Sequence, residues 1–210
     1  QLTAGGRIIA NFTDDILVRY LGDKLVDNWF NKVGCWQAEQ ASVFCKSEES
    51  GSASSQRLAV PVSLPGEHNM QNVAAALTIV DALGLKVPQI EAALASFTGL
   101  PHRLQLLGER SGINYVDDSI STTPVSVSAA LRTIGHKKLV LLLGGLDRGL
   151  DWSGFALDLL KNTPYAIITM PDSGPDILSC LQQAGVKPAG GLHGVANLRE
   201  AVELARSLVP

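Results

Sequence analysis

An α/β protein with a parallel sheet is the class this sequence predicts, on three observations. In the second half, apolar runs of strand length, "INYVDD", "KLVLLLGG" and "YAIITM", alternate with stretches of helical spacing, the order that builds a doubly wound sheet. The composition, 46% hydrophobic and 18% charged with 20 glycines and 10 prolines, suits a packed globular chain and argues against extensive disorder. A length of 210 residues allows one large domain or two modest ones, each with a core, and two is the expectation.

The elements follow in order. "GGRIIANFTDD" reads as a strand over Arg7 to Ala10, entered from a glycine turn, with nothing ahead of it to pair with; Asp14 and Asp15 close it in an Asx turn. "QASVFCK" and "RLAVPVSL" read as two strands around the exposed loop "SEESGSASSQ". From Asn69 to Leu83 the positions Val73, Ala76, Leu77, Val80 and Leu83 keep helical spacing, and Gly84 stands where a helix stops. "VPQIEAALASF" is a second helix with Pro88 near its first turn. "GLPHR" interrupts every periodicity and marks the best boundary, between residues 1–99 and 100–210. Beyond it come the three strands, with "AGGLHGV" as a possible fourth, and helices over Pro124 to Thr133, Phe155 to Asn162, Gly174 to Ala184 and Asn197 to Ser207. The continuous apolar run Leu139 to Leu143 suits a strand covered on both faces.

Charge and composition exclude several functions. A net charge of −3 without a Lys/Arg stripe leaves no electrostatic footprint for nucleic acid. The three cysteines, Cys35, Cys45 and Cys180, are odd in number and lack CxxC spacing, so neither a disulfide framework nor a zinc site is expected and a reducing compartment is favoured. No apolar run approaches the roughly 18 residues of a membrane span, and "QLTAGGRIIA" lacks the anatomy of a signal peptide. The cytoplasm follows, with no membrane partner. The four histidines, His68, His102, His136 and His193, show no HxxxH or HxH spacing, so a metal site is not expected; His136 and His193 read as ordinary loop residues.

Ligands of open α/β sheets bind outside the carboxyl ends of the strands, and three polar stretches invite that use. In "YVDDSISTTP", carboxylates and hydroxyls run from a strand end into a helix start; they can hold an anion or a ribose, or Thr123 can simply cap the helix with Pro124 behind it. In "LLLGGLDRGLDW", Gly144 and Gly145 can admit a ligand to the backbone and Arg148 can clamp a carboxylate or phosphate, or the stretch is a glycine turn with a solvated arginine. In "GEHNMQNVAAAL", Asn69 and Asn72 can read the edge of a base, or Asn69 can be an N-cap.

"GEHNMQNVAAAL", "GLPHR", "VDDSISTTP" and "LLLGGLDRG", in that order and at these separations, resemble the Mur ligase family from about residue 5 to the end, and the PHR form resembles its MurD branch. The resemblance implies residues 1–99 as the latter part of a P-loop-type central ATPase domain and residues 100–210 as most of a Rossmann-like glutamate-binding domain. It implies ATP-dependent joining of glutamate to UDP-N-acetylmuramoyl-L-alanine through an acyl phosphate, with Mg2+, in peptidoglycan precursor synthesis by a monomeric enzyme. Carried over by motif, Asn69 and Asn72 lie near adenine, Arg103 reaches the nucleotide phosphates, Asp118 holds the ribose, and Ser119, Thr122 and Arg148 hold the incoming glutamate.

Two departures matter. No GxxxxGK[ST] phosphate loop occurs, and in the family that loop and a UDP-binding domain lie upstream, so the chain is expected to be a fragment inactive by itself. Ile120 stands where the usual DSKAT motif carries a lysine, and an apolar side chain cannot neutralise a carboxylate. "DDSISTTP" resembles the variant branch that adds L-glutamate, which makes L-glutamate the expected amino acid and D-glutamate the alternative. A catalytically inert binding module that kept the fold is the rival of another class.

Overall fold

The structure is a computed structural model, and it describes residues 6–39, 42–46, 55–59, 63–85, 87–135 and 138–209. His136 and the middle of the serine-rich loop, residues 47–54, lie outside the described residues. The chain divides into two compact units, Gln1–Asp117 and Asp118–Pro210. The expected boundary at 99/100 lies inside the first unit.

In the first unit, β1 (Ile9–Asn11) pairs in parallel with β2 (Asn28–Phe30), and α1 (Asp15–Leu25) makes the crossover. The partner of the first strand thus comes from downstream. Asp14 is not part of a simple turn: its side chain accepts from the backbone N–H groups of Ile16 and Leu17 at 3.0 and 3.1 Å and caps α1. Helix α1 went unread because Gly22, at φ 58, interrupts it and only Leu17, Val18 and Leu21 pack on the small core of Ala10, Val26 and Trp29.

An antiparallel meander follows, with β3 (Trp36–Ala38), β4 (Ser42–Lys46) and β5 (Ser55–Ala59) in that spatial order. Helix α2 (Glu67–Ala82) covers it, burying Met70, Val73, Ala74 and Leu77 against Trp36, Val43 and Leu58. Leu83 is the C-cap of α2, and Gly84 takes the φ of 73 that lets the chain turn away. Helix α3 (Val87–Ser96) adds Ile90 and Leu94 to the same cluster.

The unit ends in a hairpin, β6 (Gln105–Arg110) and β7 (Ile113–Asp117). This corrects the expectation that "INYVDD" opens the parallel sheet, since among the described residues β7 pairs only with β6, and antiparallel. The reason is local: Ser111 and Gly112 sit at φ 55 and 77, the two positive values that a tight two-residue hairpin requires, and so short a closure costs little entropy.

The second unit contains α4 (Pro124–Ile134), β8 (Val140–Gly145), α5 (Ser153–Leu159), β9 (Ala166–Asp172), α6 (Gly174–Gln183), β10 (Leu192–Gly194) and α7 (Leu198–Leu208). Its strands form a parallel sheet in the order β10-β9-β8, the α/β arrangement expected from the alternating pattern. Coverage on both faces is found in the central strand β9, where Ala166, Ile167 and Ile168 are wholly buried. Strand β8 differs from expectation: Val140 to Leu142 are only half-buried and Leu143 alone is buried, because β8 is an edge strand of this three-stranded sheet.

Candidate functional site

The residues expected to meet a nucleotide divide by unit: Asn69, Asn72 and Arg103 lie in the first, Asp118 in the second. The first unit contains a cleft of about 260 Å³, walled by Ser63 and Pro65 ahead of α2 and by Gly99 to Pro101 and Arg103 to Leu106. Its two walls touch at Gly99, where a Cβ would stand 2.6 Å from the Ser63 carbonyl oxygen, so only glycine permits this approach. The Ser63 hydroxyl donates to the Phe97 carbonyl at 2.7 Å and ties the same two segments.

Asn69 is buried in the first turn of α2, and its Nδ2 donates to the Pro65 carbonyl oxygen at 2.7 Å. It is therefore not the N-cap; Gly66 occupies that position without a side-chain bond. Asn72, one turn on, is exposed, so the two carboxamides meet different surroundings despite their spacing. Arg103 is half-buried on the cleft wall, its backbone N–H donates to Leu100 at 3.3 Å, and its guanidinium makes no ion pair with a described residue. A half-buried arginine with that freedom suits a phosphate or carboxylate ligand.

In the second unit, Asp118 is half-buried and its carbonyl accepts from Ser121 N–H at 2.9 Å, bending the chain into a turn that leaves Ser119 and Thr122 exposed. Thr123 is the N-cap of α4: its hydroxyl accepts from Ser126 N–H at 3.2 Å while Ser126 Oγ accepts from Thr123 N–H at 3.1 Å, with Pro124 in the first turn. Its hydroxyl thus belongs to the helix. Helix α4 packs Val127 and Leu131 into the core cluster that Leu143 of β8 also joins. The Asp118–Thr122 turn leads into the start of this helix, and Arg148 lies in the loop that follows β8.

The double glycine has an internal cause. A Cβ on Gly144 would lie 2.6 Å from the Met170 carbonyl oxygen on the neighbouring strand, whereas one on Gly145 would meet nothing within 4 Å. The first glycine serves strand packing, and the second leaves open space beside the strand end. Arg148 is exposed; in the loop around it, Asp147 accepts from Gly149 N–H at 2.9 Å and Asp151 from both the N–H and the hydroxyl of Ser153 at 2.8 Å. Those bonds from Ser153 hold the Asp151 carboxyl below its ordinary range.

Burial pushes the thiols of Cys35, Cys45 and Cys180 up. Among the described residues, no three or more His, Cys, Asp and Glu side chains are grouped to hold a metal ion, and no helix is long and apolar enough to cross a membrane. The sequence reading missed one contact at the site, between His102 Nδ1 and Asp117 Oδ2 at 2.7 Å. The paired aspartates of "VDD" were its only trace in the sequence.

No family model matches the chain. Its sequence is 47% identical over 146 residues to a UDP-N-acetylmuramoyl-L-alanine--L-glutamate ligase of Xanthomonas euvesicatoria pv. vesicatoria, covering 70% of this chain and 31% of that protein. It is 41% identical over 182 residues to a protein of the same name from Xylella fastidiosa, covering 85% of this chain and 37% of that one. The chain thus spans about a third of the length of these curated relatives. The crystal structure of MurF from Acinetobacter baumannii superposes over 99% of this chain and 46% of its own, with a TM-score of 0.71 at 18% identity, a likeness of fold.

Proposed function

We propose, for a chain that belongs to the Mur ligase family, that it forms the later part of an ATP-dependent ligase joining L-glutamate to UDP-N-acetylmuramoyl-L-alanine in peptidoglycan precursor synthesis. The observation that carries the reading is identity of 41 to 47% to ligases named for L-glutamate, over 70 to 85% of this chain. In this reading residues 1–99 are the later part of the central ATP-binding domain and residues 100–210 the glutamate-binding domain, in a monomeric cytoplasmic enzyme.

The chemistry is transfer of the ATP γ-phosphoryl group to the substrate carboxylate, then attack by the glutamate amine with loss of phosphate and a proton. What this chain contributes is binding and orientation. Arg103, half-buried on the cleft wall, supplies a fixed cation for the nucleotide phosphates. Asn69 braces the Pro65 wall of that cleft, and the exposed Asn72 amide is left to read a base edge. In the second unit, Asp118 is the acceptor for ribose hydroxyls, and Ser119, Thr122 and Arg148 are the donors for the glutamate carboxylates. Among the described residues, no group of three or more His, Cys, Asp and Glu side chains fits Mg2+.

The choice of L-glutamate rests on the relatives' names and on Ile120, which is 44% exposed beside these donors and carries no charge for a carboxylate. Moving one carboxylate partner at Cα is enough to select the opposite enantiomer, since a misplaced charge pair costs several kcal/mol. The test is a ligation assay on the full-length protein with ATP, UDP-N-acetylmuramoyl-L-alanine and each glutamate enantiomer alone. Product from L-glutamate is expected, with Ile120→Lys eroding the preference. Preference for D-glutamate that survives Ile120→Lys overturns the assignment of stereochemistry and of this position. No product with either enantiomer, from a folded protein, overturns the ligase reading.

A further inference from the structure

Two residues flanking Arg103 adopt a backbone conformation that side chains avoid: His102 lies at φ 63 and Leu104 at φ 44. A non-glycine residue in the left-handed region persists only where its surroundings over-determine it, and such strain concentrates at functional positions. Here the restraints can be named. The His102 backbone N–H donates to Gln105 Oε1 at 2.9 Å, and its ring Nδ1 donates to Asp117 Oδ2 at 2.7 Å. Gln105 and Asp117 are direct partners in the β6–β7 register, at the hairpin's open end. His102 is therefore fastened to both strands at once, by its backbone to the first residue of β6 and by its ring to the last residue of β7. Arg103 hangs between this fastening and the buried Leu104, with its own N–H on Leu100.

We propose that His102 is a positioning residue for Arg103: the His102–Asp117 bond latches the left-handed turn that presents the guanidinium to the cleft. The proposal rests on the reading of Arg103 as the ligand of nucleotide phosphates. A hydrogen bond to a carboxylate is charge-assisted and directional, so it fixes the turn more firmly than a neutral contact would. With the ring 62% exposed at its surface side, solvent weakens the bond and the expected effect is moderate. The residue type matches the task, since histidine, like asparagine, tolerates the left-handed region better than most side chains and also carries a donor.

The experiment measures KM for ATP, kcat at saturating ATP and thermal stability in the full-length protein. Arg103→Ala should raise KM for ATP about tenfold or more. His102→Gly keeps the left-handed turn free of strain while removing the ring, and should raise KM about fivefold with kcat within about twofold and little loss of Tm. His102→Asn, which retains an N–H donor, should return KM to within about twofold. In an Arg103→Ala background, His102→Gly should change KM no further, because the latch acts only through the guanidinium. Arg103→Ala raising KM while His102→Gly leaves it unchanged overturns the latch and leaves the phosphate reading standing. So does an added rise from His102→Gly in the Arg103→Ala background. An unchanged KM in Arg103→Ala overturns the phosphate reading, and the latch with it.

Discussion

Asn69 donates its side-chain N–H to the carbonyl oxygen of Pro65 at 2.7 Å, and Pro65 walls the cleft that Arg103 also lines. A residue singled out as a reader of adenine is thus engaged with its own backbone, at a site only 4% exposed. Its amide holds the segment before α2 in place, and through that segment it shapes the cleft.

Asn69→Ala should therefore lower stability by about 1 to 2 kcal/mol, the cost of a lost bond and an unsatisfied carbonyl, and raise KM for ATP at the same time. Asn69→Asp should be no better, since a carboxylate cannot donate to a carbonyl. The exposed Asn72→Ala should change stability by no more than about 0.5 kcal/mol. Urea denaturation of the three variants distinguishes these outcomes, and equal losses at both asparagines would remove the bracing role.

Gly144 and Gly145 should respond differently to the same substitution. Gly144→Ala drives a methyl to 2.6 Å from the Met170 carbonyl oxygen, at a φ of 159, and should cost about 3 kcal/mol or more. Gly145→Ala, at φ 114 but with open space around it, should cost about 1 to 2 kcal/mol from backbone strain alone. Comparison of urea midpoints at equal m-value tests the order, and Gly145→Ala proving the worse of the two would refute it.

Asp151 should titrate below the ordinary aspartate range, because Ser153 donates to its carboxylate twice. A carboxyl whose folded pKa is depressed binds its proton less readily folded than unfolded. Its contribution to stability is therefore full above the unfolded value near pH 4 and is lost as the pH falls through the lower, folded value. NMR titration of the Asp151 carboxyl checks the direction, and Ser153→Ala should move it back toward the ordinary range.

Much of the second unit was legible in the sequence. The starts of α4 and α6, at Pro124 and Gly174, were read from local signals, and β8, β9 and β10 were read in place. The Thr123–Ser126 cap was one of two readings offered by the residues, and the structure realises it. Helix α1 was hidden by the break at Gly22 and a short buried stripe. The positions Asp118, Ser119, Thr122 and Arg148 could be marked because polarity at a strand end stands out against an apolar run.

The sequence by itself determined the alternation of strand and helix, the caps and the α/β class, because periodicity and capping act within a turn or two of chain. Tertiary structure alone decided that β1 pairs with β2 and that Gly144 must yield to Met170. It also decided that His102 reaches Asp117, fifteen residues away. Such choices depend on which groups packing brings within about 3 Å of one another, and the competition among partners is settled by the burial of the whole unit, which no local pattern records.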